Sequence, residues 1–290
     1  MVSAADMATQ LNATSATNLK KAGLTHVGRY INPGWKQLTA TEVAAIKAAG
    51  LKIFSIFERS GVSPIKSSYF TTAQGHTDAL DAYHLGMGIG QPEMESAIYF
   101  TVDYDAPDAD LPAILAYFKE IKSILKSYKI GAYGKFSVLN YLYSHNAADY
   151  YFQTIAWSGN QRCSFKHIYQ YQTDKTLAGI NVDYDELEKA DVGAWGQPAP
   201  AQNGILTTGV PYRVIIPNLQ FWQAKTLVTQ YQQRGYKCDG IAVNVYGPGQ
   251  QPNDQDPYKF VLYVAHDEAV KLVIELKNKG YALTYGEEIK

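Results

Sequence analysis

The chain has 290 residues, 46% of them apolar, enough for a substantial core and long enough for two domains. Its 26 basic and 27 acidic side chains nearly cancel, which argues against a nucleic-acid partner, and no apolar run approaches the ~20 residues that span a bilayer. Tyrosine is in excess, 23 against 10 Phe and 4 Trp, and its flat ring with a hydroxyl suits sugar-binding surfaces as well as packing.

Up to Trp195, strand-like and helix-like runs alternate. The β-rich stretches fall at 2–5 (VSAA), 25–31 (THVGRYI), 51–57 (LKIFSIF), 97–102 (AIYFTV), 129–133 (KIGAY), 152–157 (FQTIAW), 167–172 (HIYQYQ) and 179–184 (GINVDY). Between them, Thr39 and Glu42 have the spacing of a capping box ahead of Val43 and Ile46, and Gly50 stops that helix. Leu111, Ile114, Leu115, Phe118, Ile121 and Leu125 form one apolar helix face, with Pro112 in the first turn. Eight strands alternating with helices predict a parallel sheet, and eight is the number that closes a barrel. Residues 1–195 are therefore expected to adopt an α/β fold of the (β/α)8 TIM type.

Working residues of such barrels sit at the C-terminal ends of the strands. Those ends carry Asp6, Tyr30, Glu58, Asp103, Asp105, Trp157, Gln170, Gln172 and Asp183. The tetrapeptide Val-Asp-Tyr-Asp occurs twice, at 102–105 and 182–185, and residues two apart on a strand face the same side about 7 Å apart. Each copy thus offers two carboxyls together, whose repulsion raises one pKa and lets one act as proton donor while the other stays ionised. The purely structural alternative is that one Asp of each pair caps the helix that follows, and that Glu58 only pairs with Arg29 or Arg59. Arg29 lies within a strand and is expected at the acidic mouth. Cys163 and Cys238 lack any partner spacing, so free thiols are expected and no metal or other cofactor is implied. The opening MVSAADMATQ has no charged segment followed by an apolar one, so no secretory signal is visible.

After Trp195 the pattern changes. GQPAPAQNG (196–204) has linker composition, and the linker is placed at 196–207. Residues 208–290 hold two similar halves, PYRVIIPNLQFWQAKTLVTQYQQRGY and PYKFVLYVAHDEAVKLVIELKNKGY, in which Ala224 and Ala269, Gly235 and Gly280, and Tyr236 and Tyr281 recur at a common offset of 45 residues. Each half predicts a strand, a helix ending at Gly, and a short strand (240–246 and 282–289), a small α+β domain of ferredoxin-like βαβ-βαβ type.

The segments AADMATQLNATSATNLKKAGLTHVGRYI, LKIFSIFERSG, YFTTAQGHTDA, AIYFTVDYDA and KIGAYG, in that order, resemble a glycoside-hydrolase-like family of unknown function whose members have a TIM-type barrel related to the family 25 lysozymes. The resemblance covers residues 1–195 and implies that Asp6 is the acid ending the first strand, Asp103 and Asp105 the acidic pair of the fourth, and Asp183 the acid near the last. It implies glycoside hydrolysis in an amino-sugar polymer, with Asp105 or Glu58 as general acid, Asp103 as stabiliser or water activator, and Asp6 and Asp183 holding the site. Tyr30, Arg29, Trp157, Gln170 and Gln172 would then contact substrate. In the lysozymes the second member of the fourth-strand pair is normally Glu. Asp105 withdraws that carboxyl by about 1.5 Å, which leaves Glu58 as the longer alternative. Residues 208–289 resemble the SPOR domain, a small module that binds peptidoglycan glycan strands, through the Tyr-x-Val start and the Ala…Gly-Tyr helix frame.

These resemblances imply a bacterial cell-wall hydrolase of lysozyme or muramidase type, a phage or secreted lysin. Its partner would be peptidoglycan or a related amino-sugar polymer, with no nucleic acid and no membrane insertion, and a monomer is expected. The expected location is extracellular or in the cell wall, reached by a phage-borne, non-classical or processed route. The rival expectation is a non-catalytic wall carbohydrate-binding protein with a degenerate glycosidase barrel, and a third is a structural or adhesion component.

Overall fold

A computed structural model describes residues 3–59, 67–196, 211–242 and 257–288, and the chain divides into two compact units, 1–197 and 198–290. Apart from Gly196, the expected linker 196–207 lies outside the described residues, as do 243–246 of the expected strand 240–246.

The first unit runs β1 (Ala4–Asp6), α1 (Ala13–Lys21), β2 (His26–Tyr30), α2 (Ala40–Ala48), β3 (Lys52–Phe57), α3 (Thr72–Gly88), β4 (Ala97–Thr101), α4 (Leu111–Ile124), β5 (Lys129–Gly134), α5 (Phe136–Ser144), β6 (Tyr150–Thr154), β7 (Ile168–Leu177) and β8 (Ile180–Leu187). The eight strands close into a barrel in sequence order. From β1 to β7 neighbours are parallel, but β8 is antiparallel to both β7 and β1. The barrel therefore departs from a strict (β/α)8 at its closing edge. Parallel strands need a crossover of a dozen or more residues. Here β7 extends through polar residues to Leu177, and Ala178 and Gly179, with φ of 51° and 84°, form a two-residue hairpin turn.

Helix ends follow local chemistry. Thr39 caps α2 by accepting from the Glu42 N–H at 3.2 Å, but the Glu42 side chain does not return to Thr39. It is buried, accepting from Arg29 Nε at 2.7 Å and from the Leu11 N–H at 2.8 Å, because a fully buried guanidinium requires a counter-charge. In α4 the face Leu111, Ile114, Leu115, Phe118 and Ile121 is buried, and Leu125 caps its end. Inside the barrel Ala4, Phe54, Ile56, Ala97, Tyr99, Phe152, Ile168 and Val192 form a separate cluster from the larger layer between strands and helices. The segment after β8 crosses the N-terminal end of the barrel. Trp195 exchanges both backbone hydrogen bonds with Ile53 and donates its indole N–H to buried Ser55 at 2.9 Å.

The second unit runs β9 (Pro211–Leu219), α6 (Phe221–Gln233), β10 (Lys237–Ala242), β11 (Tyr258–Ala265), α7 (His266–Asn278) and β12 (Tyr285–Glu288), in an antiparallel sheet of order β10-β11-β9-β12. This is the split βαβ arrangement. Its own core includes Val214, Ile216, Leu227, Phe260, Leu262, Leu272 and Leu276. Among the described residues no helix is long and apolar enough to cross a membrane. Cys163 and Cys238 are buried free thiols.

Glycine at position 28 is demanded by close packing in the barrel interior. A Cβ there would lie 2.3 Å from the Phe54 ring and 2.6 Å from Cβ of Asp6, and Phe54 is itself wedged edge-on against Tyr99 and Phe152. Gly28→Ala is expected to destabilise the fold by ~1–3 kcal/mol, read as a lower midpoint in denaturant unfolding. An unchanged midpoint would contradict this packing.

Candidate functional site

Side chains alternate along a strand, so the inward positions that fill the barrel with Ala4, Phe54, Tyr99, Phe152 and Ile168 bring Asp6, Ile56, Thr101, Thr154 and Gln170 to the next layer up. There the barrel opens into a cavity of about 290 Å³ lined by Asp6, Tyr30, Ile56, Glu58, Thr101, Asp103, Tyr133, Thr154, Ala156, Gln170, Thr173, Asp174 and Asp183. Asp183 reaches this mouth although β8 runs backwards, because it sits in register with Asp6.

One amide ties the floor of the cavity together. Gln170 Nε2 donates to Asp6 Oδ2 at 2.9 Å and to Asp183 Oδ2 at 3.2 Å. Its carbonyl accepts from Thr154 Oγ1 at 2.8 Å and from the Tyr133 hydroxyl at 3.2 Å. The two carboxyl oxygens on one side call for the N–H groups, and the two hydroxyls on the other can donate, which sets the orientation of the amide. Asp183 also accepts from the Asp174 N–H at 2.8 Å, and the Tyr30 hydroxyl approaches Asp6 Oδ1 at 3.4 Å.

Crowding shifts these acids. Burial, then the charges of Asp183 and Glu58, push Asp6 up to about 7, against the pull of Gln170 and Tyr30. Asp103 faces the solvent in the cavity, yet desolvation by the surrounding wall and the charge of Glu58 raise it to about 6, with Lys36 opposing. Asp183 is raised, chiefly by burial. One layer below, Asp185 is buried in register with Ala4 and Gln170, and among the described residues neither of its oxygens has a hydrogen-bond partner. Burial and the charges of Asp6 and Asp183 raise it well above the ordinary carboxyl range.

Of the residues placed at the mouth from sequence, Asp6, Tyr30, Glu58, Asp103, Gln170 and Asp183 are brought together. Asp105 is not. Its side chain is 67% exposed and is held by Lys135 at 2.7 Å, outside the cavity lining. Arg29 points away from the cavity into the helix layer, where Glu42 pairs with it and it donates to the backbone oxygens of Met7 and Lys36. Gln172 is exposed beside Tyr184, and Trp157 stands in the exposed turn after β6. Glu58 pairs with neither Arg29 nor Arg59 but with Lys36 at 2.6 Å, while Arg59 binds Asp78 and Asp81. Tyr133, Thr154 and Asp174 were missed. Tyr133 was legible as an inward position at the end of KIGAY, whereas Lys36 lies in a loop whose path no periodicity reports. Among the described residues no group of His, Cys, Asp and Glu is arranged to hold a metal ion.

Fold and site together define a closed eight-stranded α/β barrel with a carboxylate-lined mouth. The chain belongs to the Rv2525c-like, glycoside hydrolase-like domain family, whose model matches residues 17–188. It is 32% identical over 219 residues to the uncharacterized protein YbfG of Bacillus subtilis, covering 66% of this chain and 29% of that protein. It is 36% identical over 141 residues to the uncharacterized protein FadG of the same organism, covering 45% of this chain and 24% of that protein. The chain thus spans less than a third of the curated relatives it matches. The crystal structure of the Mycobacterium tuberculosis Tat-secreted protein Rv2525c in complex with L-tartrate superposes with a TM-score of 0.60 at 19% identity, over 67% of this chain and 98% of that one, a likeness of fold.

The raised pKa of Asp6 makes stability fall with rising pH. Its contribution is present in full below the ordinary value of 3.8 and is lost as pH rises through about 7, and Asp103 acts in the same direction through about 6. Thermal midpoints measured from pH 4 to 8 are expected to drop by several degrees across this window, and Asp6→Asn is expected to flatten the slope. Equal slopes for both proteins would refute the proton-holding assignment.

Proposed function

We propose that the barrel is a glycoside hydrolase of the two-carboxylate type acting on an amino-sugar polymer of the cell wall, with peptidoglycan as the substrate class. The observation that carries this is the pairing, in one cavity, of Asp103 with a pKa raised to about 6 and Glu58 held by Lys36 at 2.6 Å. A carboxyl whose pKa is raised, beside a second one held by a lysine, is the kind of pair that glycoside cleavage uses. Asp103 gives its proton to the leaving oxygen as the bond from that oxygen to the anomeric carbon breaks. Glu58 faces the developing positive charge or takes a proton from the attacking water, and water supplies the new hydroxyl. Asp6, Asp183 and Gln170 hold the floor and keep the local charge low. Asp105, tied to Lys135 outside the cavity, has no direct part in this scheme.

Asp103→Asn keeps the shape but carries no proton to deliver. Hydrolysis of amino-sugar polymers, followed by turbidity or reducing sugar, is expected to fall ~10²- to 10⁴-fold while glycan binding persists. Unchanged turnover in this variant would remove Asp103 from the role of acid. A wild type that binds glycan without cleaving it favours a second reading, a degenerate barrel that only binds. The observation on that side is the diversion of Asp105 to Lys135.

For the second unit the proposed role is a SPOR-like wall anchor. Its support is the split βαβ topology together with the exposed Tyr285 on β12. The Tat-secreted relative supports a place outside the cytoplasm, as expected of a secreted or phage-borne lysin. The full chain is expected to sediment with purified sacculi at moderate salt, and a chain lacking residues 198–290 to lose most of that binding. Equal sedimentation of the two would defeat the anchor.

A further inference from the structure

Two indoles of the barrel unit stand in solvent. Trp35 is 74% exposed in the loop between β2 and α2, and Trp157 is 45% exposed in the turn after β6. In a closed ring of eight strands β2 and β6 lie opposite each other, with three strands between them either way round. With ~4.8 Å between strands and a tilt of roughly 40°, the two strand ends are about 16 Å apart across the mouth. Both residues are chain neighbours of groups at the acidic cavity. Ala156, next to Trp157, lines it, and Lys36, next to Trp35, binds the Glu58 that lines it and sits 3.9 Å over the ring of Tyr30.

Hydrogen bonds fix the backbone that carries each indole. Trp157 has a φ of 55°, which a bulky side chain rarely adopts and which persists only where the surroundings enforce it. They do so here: the Ile155 N–H donates to Gln170 O at 2.9 Å, Ser158 Oγ donates to Thr154 O at 2.7 Å, and the Phe136 N–H donates to Ser158 Oγ at 3.1 Å. On the opposite rim, buried Arg29 donates to Lys36 O at 3.0 Å and the Leu38 N–H donates to Tyr30 O at 2.7 Å, which ties the Trp35 loop to β2. The guanidinium expected at the substrate instead supports the loop that displays an indole.

We propose that Trp35 and Trp157 are paired stacking platforms on opposite rims of the mouth, between which one amino-sugar chain is stretched across the carboxylate cavity. This rests on the glycan reading above. Sugar rings present flat C–H faces that pack on indoles, while their hydroxyl and N-acetyl edges suit the carboxyls, the amide and the threonines between the platforms. Supports at both rims select an internal stretch of polymer several sugars long.

The test uses the full chain with Asp103→Asn, so that ligands stay intact, and binding of N-acetylglucosamine oligomers from dimer to hexamer and of solubilised glycan strands, measured by calorimetry. Affinity is expected to rise with length. Trp35→Ala and Trp157→Ala are each expected to weaken hexamer binding about tenfold, to leave the dimer unchanged, and to recover most of the loss as Trp→Phe. Thermal midpoints should not move, since both rings are exposed. Hexamer binding unchanged in either alanine variant overturns the paired platforms and leaves the glycan reading standing. A parent protein that binds no oligomer or strand of any length overturns the glycan reading itself.

Discussion

The amide of Gln170 sits where the acids of β1 and β8 would otherwise meet, and its supply of protons limits everything around it. A glutamine has two N–H bonds to give, and here they serve Asp6 and Asp183. Its oxygen is pinned from behind by Thr154 and Tyr133, so it cannot turn to relieve a third carboxyl. Asp185, one layer below, receives no hydrogen bond among the described residues. With two buried acids, a half-buried third and one amide, the remaining relief is protonation, and Asp6 and Asp185 are both shifted upward.

This crowding traces to how the barrel closes. Because β8 runs against β1, Asp6 faces Asp183 and Ala4 faces Asp185 in register, and Asp183 and Asp185 lie along the same inner face. The small residue opposite Asp185 leaves room for a carboxyl in the barrel interior but offers it no partner. A neutral Asp185 keeps the charge beneath Asp6 low. An ionised one would drive Asp6 still higher and add the cost of an unpaired buried charge.

Strand positions were readable because they are short, nearly continuous β-rich runs, buried on both faces between helix signals, and β2 to β5 fall within a residue or two of the stretches that signal them. The reversal of β8 was not readable. The polar stretch Thr173 to Thr176 resembles a loop, and an Ala-Gly turn is a weaker hairpin signal than Asn-Gly. Arg29 was misplaced for a related reason: alternation puts it on the outer face of β2, opposite in sense to Gly28 and Tyr30, and the buried Glu42 that receives it was read as a capping residue. Trp35 drew no notice, since an indole in a loop has no periodicity to mark it.

The two Val-Asp-Tyr-Asp copies show how far a local rule carries. At 182–185 the tetrapeptide lies inside β8, the strand alternation holds, and Asp183 and Asp185 share the inner face. At 102–105 it starts just past the end of β4 at Thr101. Asp103 still continues the inward side of Thr101 and lines the cavity. The chain then bends, with the Ala106 N–H donating to Tyr104 O and the Tyr104 hydroxyl to Asp110, and Asp105 swings out to Lys135. Identical residues thus give two stacked acids in one place, a half-buried Asp183 at the cavity and a buried Asp185 beneath it, and in the other a single acid facing the cavity with its twin paired to a lysine. A mouth built this way places acids of raised pKa on its floor while Asp103, at the end of β4, stands open to whatever enters.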